Sequence, residues 1–495
     1  MDARVDYRDY ISADAELRDV KALNRREERQ LYATREKVYP KLAHGTFRRL
    51  KWLLMAVTLG IYYAVPWIRW NRGPDLPNQA VLLDMDHGRF FLFGLEIWPQ
   101  EFYFVTGLLI LAALTLFLIT SLAGRIWCGY FCPQTVWTDL MIAVERFWQG
   151  DRNARIRLDK EPWGLAKISK KAMTHISWVF IGLATGGAFV FYFADAPTLA
   201  LQLATGTAPT VAYAFIGIFT FTTYLLGGIA REQVCIYMCP WPRIQGAMID
   251  KDSFLVSYRD WRGEPRGPSR KSGQNAGKGD CIDCNACIAV CPVSIDIRDG
   301  AQLECIQCAL CIDACNDIMT RIGRSQNLIG YATIAGLDAE AKGAIATPRL
   351  LRPRTMLYAG LITLVSIVML MALNARSVLD VSVLPDRNPL YVALSNGGIR
   401  NGYTLKILNK LHEPHKFEIA VDGLPGARLT ITGFDGIANP ALTVPTDVLS
   451  ELHVFIVIPA ESLKALTPHI HPFSFVVRDI QSGRVVRHGT SFRRP

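Results

Sequence analysis

The sequence predicts a polytopic α-helical membrane protein of five spans that carries a small cysteine-rich α+β module and ends in an Ig-like β-sandwich. Three observations lead there. Five apolar stretches, at 52–68, 102–122, 176–193, 210–229 and 356–373, approach the roughly 20 residues an α-helix needs to cross a bilayer. All twelve cysteines fall between Cys128 and Cys315, eight of them in two runs of one spacing. After the last apolar stretch the pattern changes to short strand-like runs, mostly broken by Gly, Pro, Asn or Asp.

Composition agrees with a few spans joined to water-exposed modules. Half of the 495 residues are hydrophobic, yet mean hydropathy is only +0.18. A chain of this length suggests two to four domains. The net charge of +10 could serve nucleic acid, but Lys and Arg flank the apolar runs, as they do in the cytoplasmic loops of membrane proteins. The bilayer is therefore an expected partner and nucleic acid is not.

Along the chain, residues 1–50 are charged throughout (Arg25-Arg26-Glu27-Glu28-Arg29, Arg48-Arg49) and show no apolar stretch before Lys51. They read as a partly helical cytoplasmic tail without a cleavable signal. Residues 51–250 form a membrane core of four helices. Tyr62, Tyr63, Trp67, Trp70, Tyr103 and Tyr192 mark the ends of the apolar runs, as an aromatic belt does. The stretch 123–171 is rich in Lys and Arg, whereas 194–209 has neither, so the first is cytoplasmic and the second periplasmic. Residues 251–280, rich in Gly, Pro, Arg and Ser, read as a basic flexible linker. Then follow the cysteine module (281–325), a cytoplasmic connector (326–354) and the fifth helix (355–374). The last domain (375–495) has strand-like runs at 403–408, 427–432, 452–458 and 473–478. The expected location is the bacterial inner membrane, multi-pass, with N-terminus and cysteine runs inside and the C-terminal domain outside.

Cys281-Ile-Asp-Cys284-Asn-Ala-Cys287-Ile-Ala-Val-Cys291-Pro292 and Cys305-Ile-Gln-Cys308-Ala-Leu-Cys311-Ile-Asp-Ala-Cys315 each match the C-x2-C-x2-C-x3-C run of bacterial ferredoxins. Three cysteines at three-residue steps wrap one cubane, and the fourth thiolate comes from the other run. Cys281, Cys284, Cys287 and Cys315 are thus expected to hold one 4Fe–4S cluster, and Cys305, Cys308, Cys311 and Cys291 the other. Zinc sites more often pair two C-x2-C units across a longer gap. Asn316 stands where a second Pro is expected.

The remaining cysteines form a repeat, Cys128-Gly-Tyr-Phe-Cys132-Pro133 and Cys235-Ile-Tyr-Met-Cys239-Pro240, each after an inward-running span. If helical, each pair lies on one face with Cβ atoms about 5–6 Å apart. That is too wide for a relaxed disulfide but suits thiolates reaching for one soft metal ion. Buried Cys can also be plain small hydrophobes; the duplication favours a redox or metal role. His412, His415, His469 and His471 read as surface histidines of the β-rich domain, and His87 lies in the first periplasmic loop beside Asp84, Met85 and Asp86.

With these motifs the chain resembles the FixG/CcoG (RdxA) family of accessory proteins for bacterial cytochrome c oxidase assembly. The likeness rests on Phe90-Phe-Leu-Phe-Gly-Leu-Glu-Ile-Trp-Pro-Gln, on Gly124-Arg-Ile-Trp-Cys-Gly-Tyr-Phe-Cys-Pro-Gln-Thr-Val-Trp-Thr-Asp139, on the second Cys-Pro motif, and on the dicluster and β-rich domains. That family too lacks a Pro after its last ferredoxin cysteine. The resemblance implies reduction of Cu(II) to Cu(I), with copper as substrate or transient ligand, for a cbb-type cytochrome c oxidase. Cys128, Cys132, Cys235 and Cys239 are the expected copper site. Oxidase assembly factors and copper chaperones or transporters are the implied partners; the electron donor is unnamed, and a homodimer is allowed. Two rival readings are a polyferredoxin of the NapH and NosR kind, passing electrons from quinol to a periplasmic reductase, and a non-redox assembly scaffold.

Overall fold

The computed structural model describes residues 37–495, save 74–75, 268–276, 346, 377–378, 411–413, 435–440, 446–448, 464–465 and 467–468. Most of the expected N-terminal tail, the middle of the expected linker and His412 lie outside the described residues. The chain divides into two compact units, Met1–Met369 and Leu370–Pro495.

Among the described residues five helices are long and apolar enough to cross a membrane: Thr46–Trp67, Pro99–Ala123, Leu165–Val190, Thr210–Ala230 and Pro353–Asn374. The first and third begin earlier than hydropathy alone predicts, because their opening turns carry Arg48, Arg49 and Lys51, or Lys167, Lys170 and Lys171. These cations have work at the helix ends: Arg48 Nη1 lies 2.8 Å from Asp139 Oδ1 in a buried pair. The third and fourth spans pack closely through Gly182 and Gly186. A Cβ at either would come 2.9 Å from the Thr220 carbonyl or 2.7 Å from that of Ile216, the small-residue contact by which helices approach in lipid.

Two elements lay outside the sequence reading. Residues 81–97 form a three-stranded antiparallel meander, β1 (Val81–Asp84), β2 (Arg89–Leu92) and β3 (Leu95–Ile97), closed over the fully buried Phe91. The basic stretch after the second span is largely helical, with Pro133–Gln149 burying Asp139, Glu145 and Gln149. Glu145 is met by Arg155 at 3.1 Å and Arg231 at 2.8 Å. Buried charges survive there because each has a partner.

The linker reading is corrected. Leu255–Tyr258 (β4) pairs antiparallel with Ile329–Ala332 (β5), and Asp260–Gly263 is helical. Strand β4 buries Leu255, Val256 and Tyr258, so an apolar run sits inside the basic composition. The module is also held to the membrane helices. The Asp313 carboxylate accepts from the N–H groups of Phe47 (3.2 Å) and Arg48 (2.7 Å), capping the first span from a distance.

The second unit is an antiparallel sandwich. One sheet runs β10 (Arg428–Ile431), β12 (Leu449–Ile458), β8 (Ile399–Asn409), β6 (Leu379–Pro385), with β7 (Val392–Ala393) also on β8. The other runs β11 (Leu442–Val444), β9 (His415–Asp422), β13 (Ile470–Asp479), β14 (Val485–Arg493). Alternate residues of β8 are buried, as a half-buried strand requires. Tyr403, in the core, donates to the Ser491 carbonyl at 2.9 Å.

Candidate metal centres

Both ferredoxin-type runs fold into the same kind of loop. Asp283 and Asn285 in the first, and Gln307 and Ala309 in the second, take left-handed φ values of 55°, 55°, 55° and 59°. Alternating handedness turns successive N–H groups into a concave nest that suits an anion. The N–H groups of Ala286, Gln307 and Ile329 point at the sulfurs of Cys284, Cys305 and Cys315. Cys287, Cys291, Cys305, Cys308 and Cys311 line one small apolar cavity, and Cys291 lies in the fields of Cys308 and Cys305. Cys281, Cys287 and Cys315 share one buried core, with Cys284, Cys305 and Cys311 at its edge, and Cys315 lies in the fields of Cys284 and Cys281. The fold therefore brings Cys315 to the first run and Cys291 to the second. Burial pushes Cys291 and Cys315 up to about 12 and Cys305 up to about 11. Buried thiols with inward N–H donors and an apolar cavity fit a 4Fe–4S group.

Asn316 has a reason. Cys315 lies inside the helix Leu310–Arg321, where Pro would break the backbone ladder. Asn316 Oδ1 instead accepts from the Asn327 N–H at 2.8 Å, tying that helix to the turn before β5.

The Cys-x3-Cys-Pro repeat is deeper than its sequence. Four residues before the first cysteine of each copy the helix breaks at a positive φ: Gly124 (58°, ψ −128°) and Arg231 (45°, ψ −114°). The closing cysteines are both extended, Cys132 at φ −59°, ψ 126° and Cys239 at φ −78°, ψ 123°. The following Pro excludes the helical region for them. This corrects the expectation of two cysteines on one helix face: each pair straddles a turn, after Ile126–Tyr130 in one copy and Val234–Met238 in the other. The fourth span ends in a π-helix, Tyr224–Ala230, where Gln134 Nε2 donates to the carbonyls of Leu226 (2.8 Å) and Arg231 (3.1 Å).

Cys235 lies in the fields of Cys132, Cys128 and Cys239, so the two copies meet; burial pushes its thiol up to about 12. Cys128 is buried, Cys132 and Cys235 half-buried, and Cys239 exposed. Burial raises the Cys128 thiol and the Arg125 guanidinium opposes this. Among the described residues no three His, Cys, Asp or Glu side chains converge closely enough to hold a single metal ion.

The first copy sits directly on the module. A Cβ on Gly129 would lie 2.8 Å from the Ile306 carbonyl oxygen, 3.0 Å from that of Gln307 and 3.1 Å from Cys308 Cα. Tyr130 donates to the Cys308 carbonyl at 3.2 Å, and Cys128 and Cys308 share a buried core. Cys128 Sγ donates to Gln245 Oε1 at 3.2 Å. Arg125, Gly129 and Gln245 were not singled out from sequence. The available signal was a mismatch inside the repeat, Gly129 facing Ile236, which marks the copy that touches backbone.

Among the described residues the histidines belong to no metal-binding group. His87 is exposed with Nδ1 2.8 Å from Asp84 Oδ2, and His471 Nε2 donates to the Gly423 carbonyl at 3.1 Å. His415 is not a surface residue: its largely buried ring meets Asp479 Oδ2 at 2.9 Å.

Five apolar helices, ferredoxin-type cysteine loops packed on two of them and a β-sandwich define a class, the multi-pass membrane iron–sulfur proteins. Comparison with known proteins narrows it. A 4Fe-4S dicluster domain family matches residues 230–334, a 4Fe-4S binding domain family residues 105–149, and the Ig-like fold at the C-terminus of FixG residues 369–495. The chain is 51% identical over 462 residues to nitrogen fixation protein FixG of Rhizobium meliloti, covering 87% of this chain and 88% of that one. It is 53% identical over 422 residues to protein RdxA of Cereibacter sphaeroides, covering 85% and 89%, and 51% identical over 470 residues to RdxB of that organism, covering 93% and 97%. The chain belongs to the FixG family.

Proposed function

We propose that the chain takes electrons on the cytoplasmic side of the inner membrane and passes them singly to Cu(II) at Cys128, Cys132, Cys235 and Cys239. The Cu(I) formed serves assembly of a cbb-type cytochrome c oxidase, by way of copper chaperones or transporters and assembly factors. The observation that carries this reading is the seat of the first Cys-x3-Cys turn on the Cys305–Cys308 loop, through Gly129 and Tyr130.

Cys281, Cys284, Cys287 and Cys315 hold one 4Fe–4S group in this reading, and Cys305, Cys308, Cys311 and Cys291 the other. When bound, these groups supply one-electron storage at low potential. The chain's own residues do the rest. Soft thiolates favour Cu(I) over Cu(II), which makes the single-electron step downhill. Cys128 must first give up its proton, and Arg125 stabilises the thiolate that remains. Each copper takes one electron, so turnover needs the module to return electrons that thiols alone could supply only by oxidising themselves.

The test is the variant with all four membrane cysteines changed to Ser, purified with its clusters. Dithionite-reduced wild-type protein should regain its absorption near about 400 nm when Cu(II) is added. The variant should keep about eight iron per chain and lose that reoxidation at least about tenfold. Reoxidation at the wild-type rate would remove copper from these cysteines.

A second reading has a specific observation in its favour. The 4Fe-4S binding domain family matches the segment holding Cys128 and Cys132. The four membrane cysteines would then hold a third iron–sulfur group in an electron conduit without copper, the reading that also fits a polyferredoxin of the NapH and NosR kind. Iron analysis separates the two, at about eight against about twelve per chain.

A further inference from the structure

Two buried arginines stand beside the module's cysteine runs, and their surroundings differ. Arg298 lies on the first run, with Nη1 4.0 Å from Cys281 Sγ. Asp283 Oδ1 meets that nitrogen at 2.6 Å, and Asp296 meets Nε at 2.8 Å and Nη2 at 2.7 Å. Two carboxylates offset its charge. Arg125 lies on the second run, donating from Nη1 to the carbonyls of Leu303 and of Cys305, the latter at 3.1 Å. Its Nε donates to Gln245 Oε1 at 3.3 Å, and its backbone N–H donates to Gln307 Oε1 at 2.9 Å. All these acceptors are neutral. Among the described residues Arg125 makes no ion pair with a carboxylate, although it is 3% exposed, and besides the second run its field reaches the Cys128 and Cys235 thiols on the membrane side. The half-buried Glu304 also acts on Cys305, more weakly than Arg125.

A buried cation without an anion is unfavourable until negative charge arrives beside it. Adding an electron to the neighbouring site brings such charge, so an uncompensated guanidinium raises that site's potential. The same guanidinium at Arg298 is already offset by Asp283 and Asp296. While Cys128 keeps its proton, Gln245 Oε1 accepts from both Arg125 and Cys128, which joins the second run to the membrane cysteines in one hydrogen-bonded chain.

We propose that Arg125 makes the Cys291/Cys305/Cys308/Cys311 site the higher in potential and couples it through Gln245 to Cys128, so that electrons collect beside the membrane cysteines. This rests on the reading of the module as an electron path to them. A low-potential one-electron donor, dithionite in vitro, reduces the module. One electron settles at the second site and leaves to one Cu(II), giving one Cu(I), with no bond made or broken at carbon. Arg125 is a positioning residue, since it touches neither copper nor iron.

The experiment is a redox titration followed by electron paramagnetic resonance on full-length, cluster-loaded protein in nanodiscs. C284S and C308S assign the two cluster signals. R125Q should make the signal lost in C308S about tenfold harder to reduce, 59 mV lower for a one-electron couple, and leave the other unmoved. R125K, which keeps the charge, should restore most of the shift. Q245L should leave both potentials in place and slow Cu(II)-driven reoxidation. A shift of both signals, of neither, or only of the one lost in C284S overturns the proposal, as does wild-type reoxidation in Q245L. If R125Q fails to hold its clusters, Glu304→Gln removes the opposing charge instead and should raise the same signal alone; no such rise overturns the proposal. Should wild-type clusters not reoxidise with Cu(II), copper reduction fails as a function, while the titration still decides the order of potentials.

Discussion

At the scale of single residues, the module's thiols behave as buried acids. Cys305 is pushed up to about 11, and Cys291 and Cys315 to about 12, chiefly by burial. An unperturbed thiol titrates near about 8.5. A raised folded-state pKa means the native chain holds these protons more tightly than the unfolded chain does. The resulting stability is complete below about pH 8.5 and is lost as pH rises toward 11 and 12. Metal-free protein should therefore melt at a clearly lower temperature at about pH 10 than at about pH 7.5. Iron-loaded protein, whose thiolates have already released their protons, should shift much less. Equal shifts in both forms, by tryptophan fluorescence, would assign the effect to other groups. The cysteines were legible because their spacing is the chemistry. Arg125 and Gln245 were not, because a lone Arg or Gln carries no spacing, and only the fold puts residues 125, 245 and 305 side by side.

Among the elements, the helix Leu310–Arg321 has two roles, since one turn carries Cys311 and Cys315 and Asp313 caps the first span. Removing a capping carboxylate costs about 1 kcal/mol. Asp313→Ala should lower stability by about that amount and speed hydrogen exchange at the amides of Phe47 and Arg48, while Asp313→Asn, which keeps one of the two acceptor oxygens, should recover only part of it and protect only one of the two amides. Unchanged exchange in the Ala variant would show that water caps the helix equally well. The spans were read from hydropathy to within a few residues at most ends, because an apolar run has few other uses at that length. Strand β4 was not, since four residues among Arg, Gly and Pro give no period until β5, far along the chain, supplies the partner. The helix Pro133–Gln149 was hidden similarly. Its buried face carries Asp139 and Glu145, whose cationic partners lie at Arg48, Arg155 and Arg231.

For the whole molecule, charge asymmetry around the spans sets the expected orientation. Reporter fusions after Leu373 should be active in the periplasm, and fusions near Gln274 in the cytoplasm. The reverse pattern would put the iron-binding cysteines in an oxidising compartment and end the proposed function. The sandwich was legible as a class from four of its strands, but β6, β7, β9, β11 and β14 were not read individually, since a short run gains meaning only beside its neighbour. The distant cap bears on how such a chain is made. Phe47 and Asp313 are 266 residues apart. At about 5–20 residues per second, a ribosome reaches the aspartate roughly 12 to 50 seconds after the first hydrophobic segment has been synthesised. Over that interval the leading helix waits with its opening amides unclaimed. Its final anchoring is then a late event in biogenesis, timed by completion of the iron-binding domain.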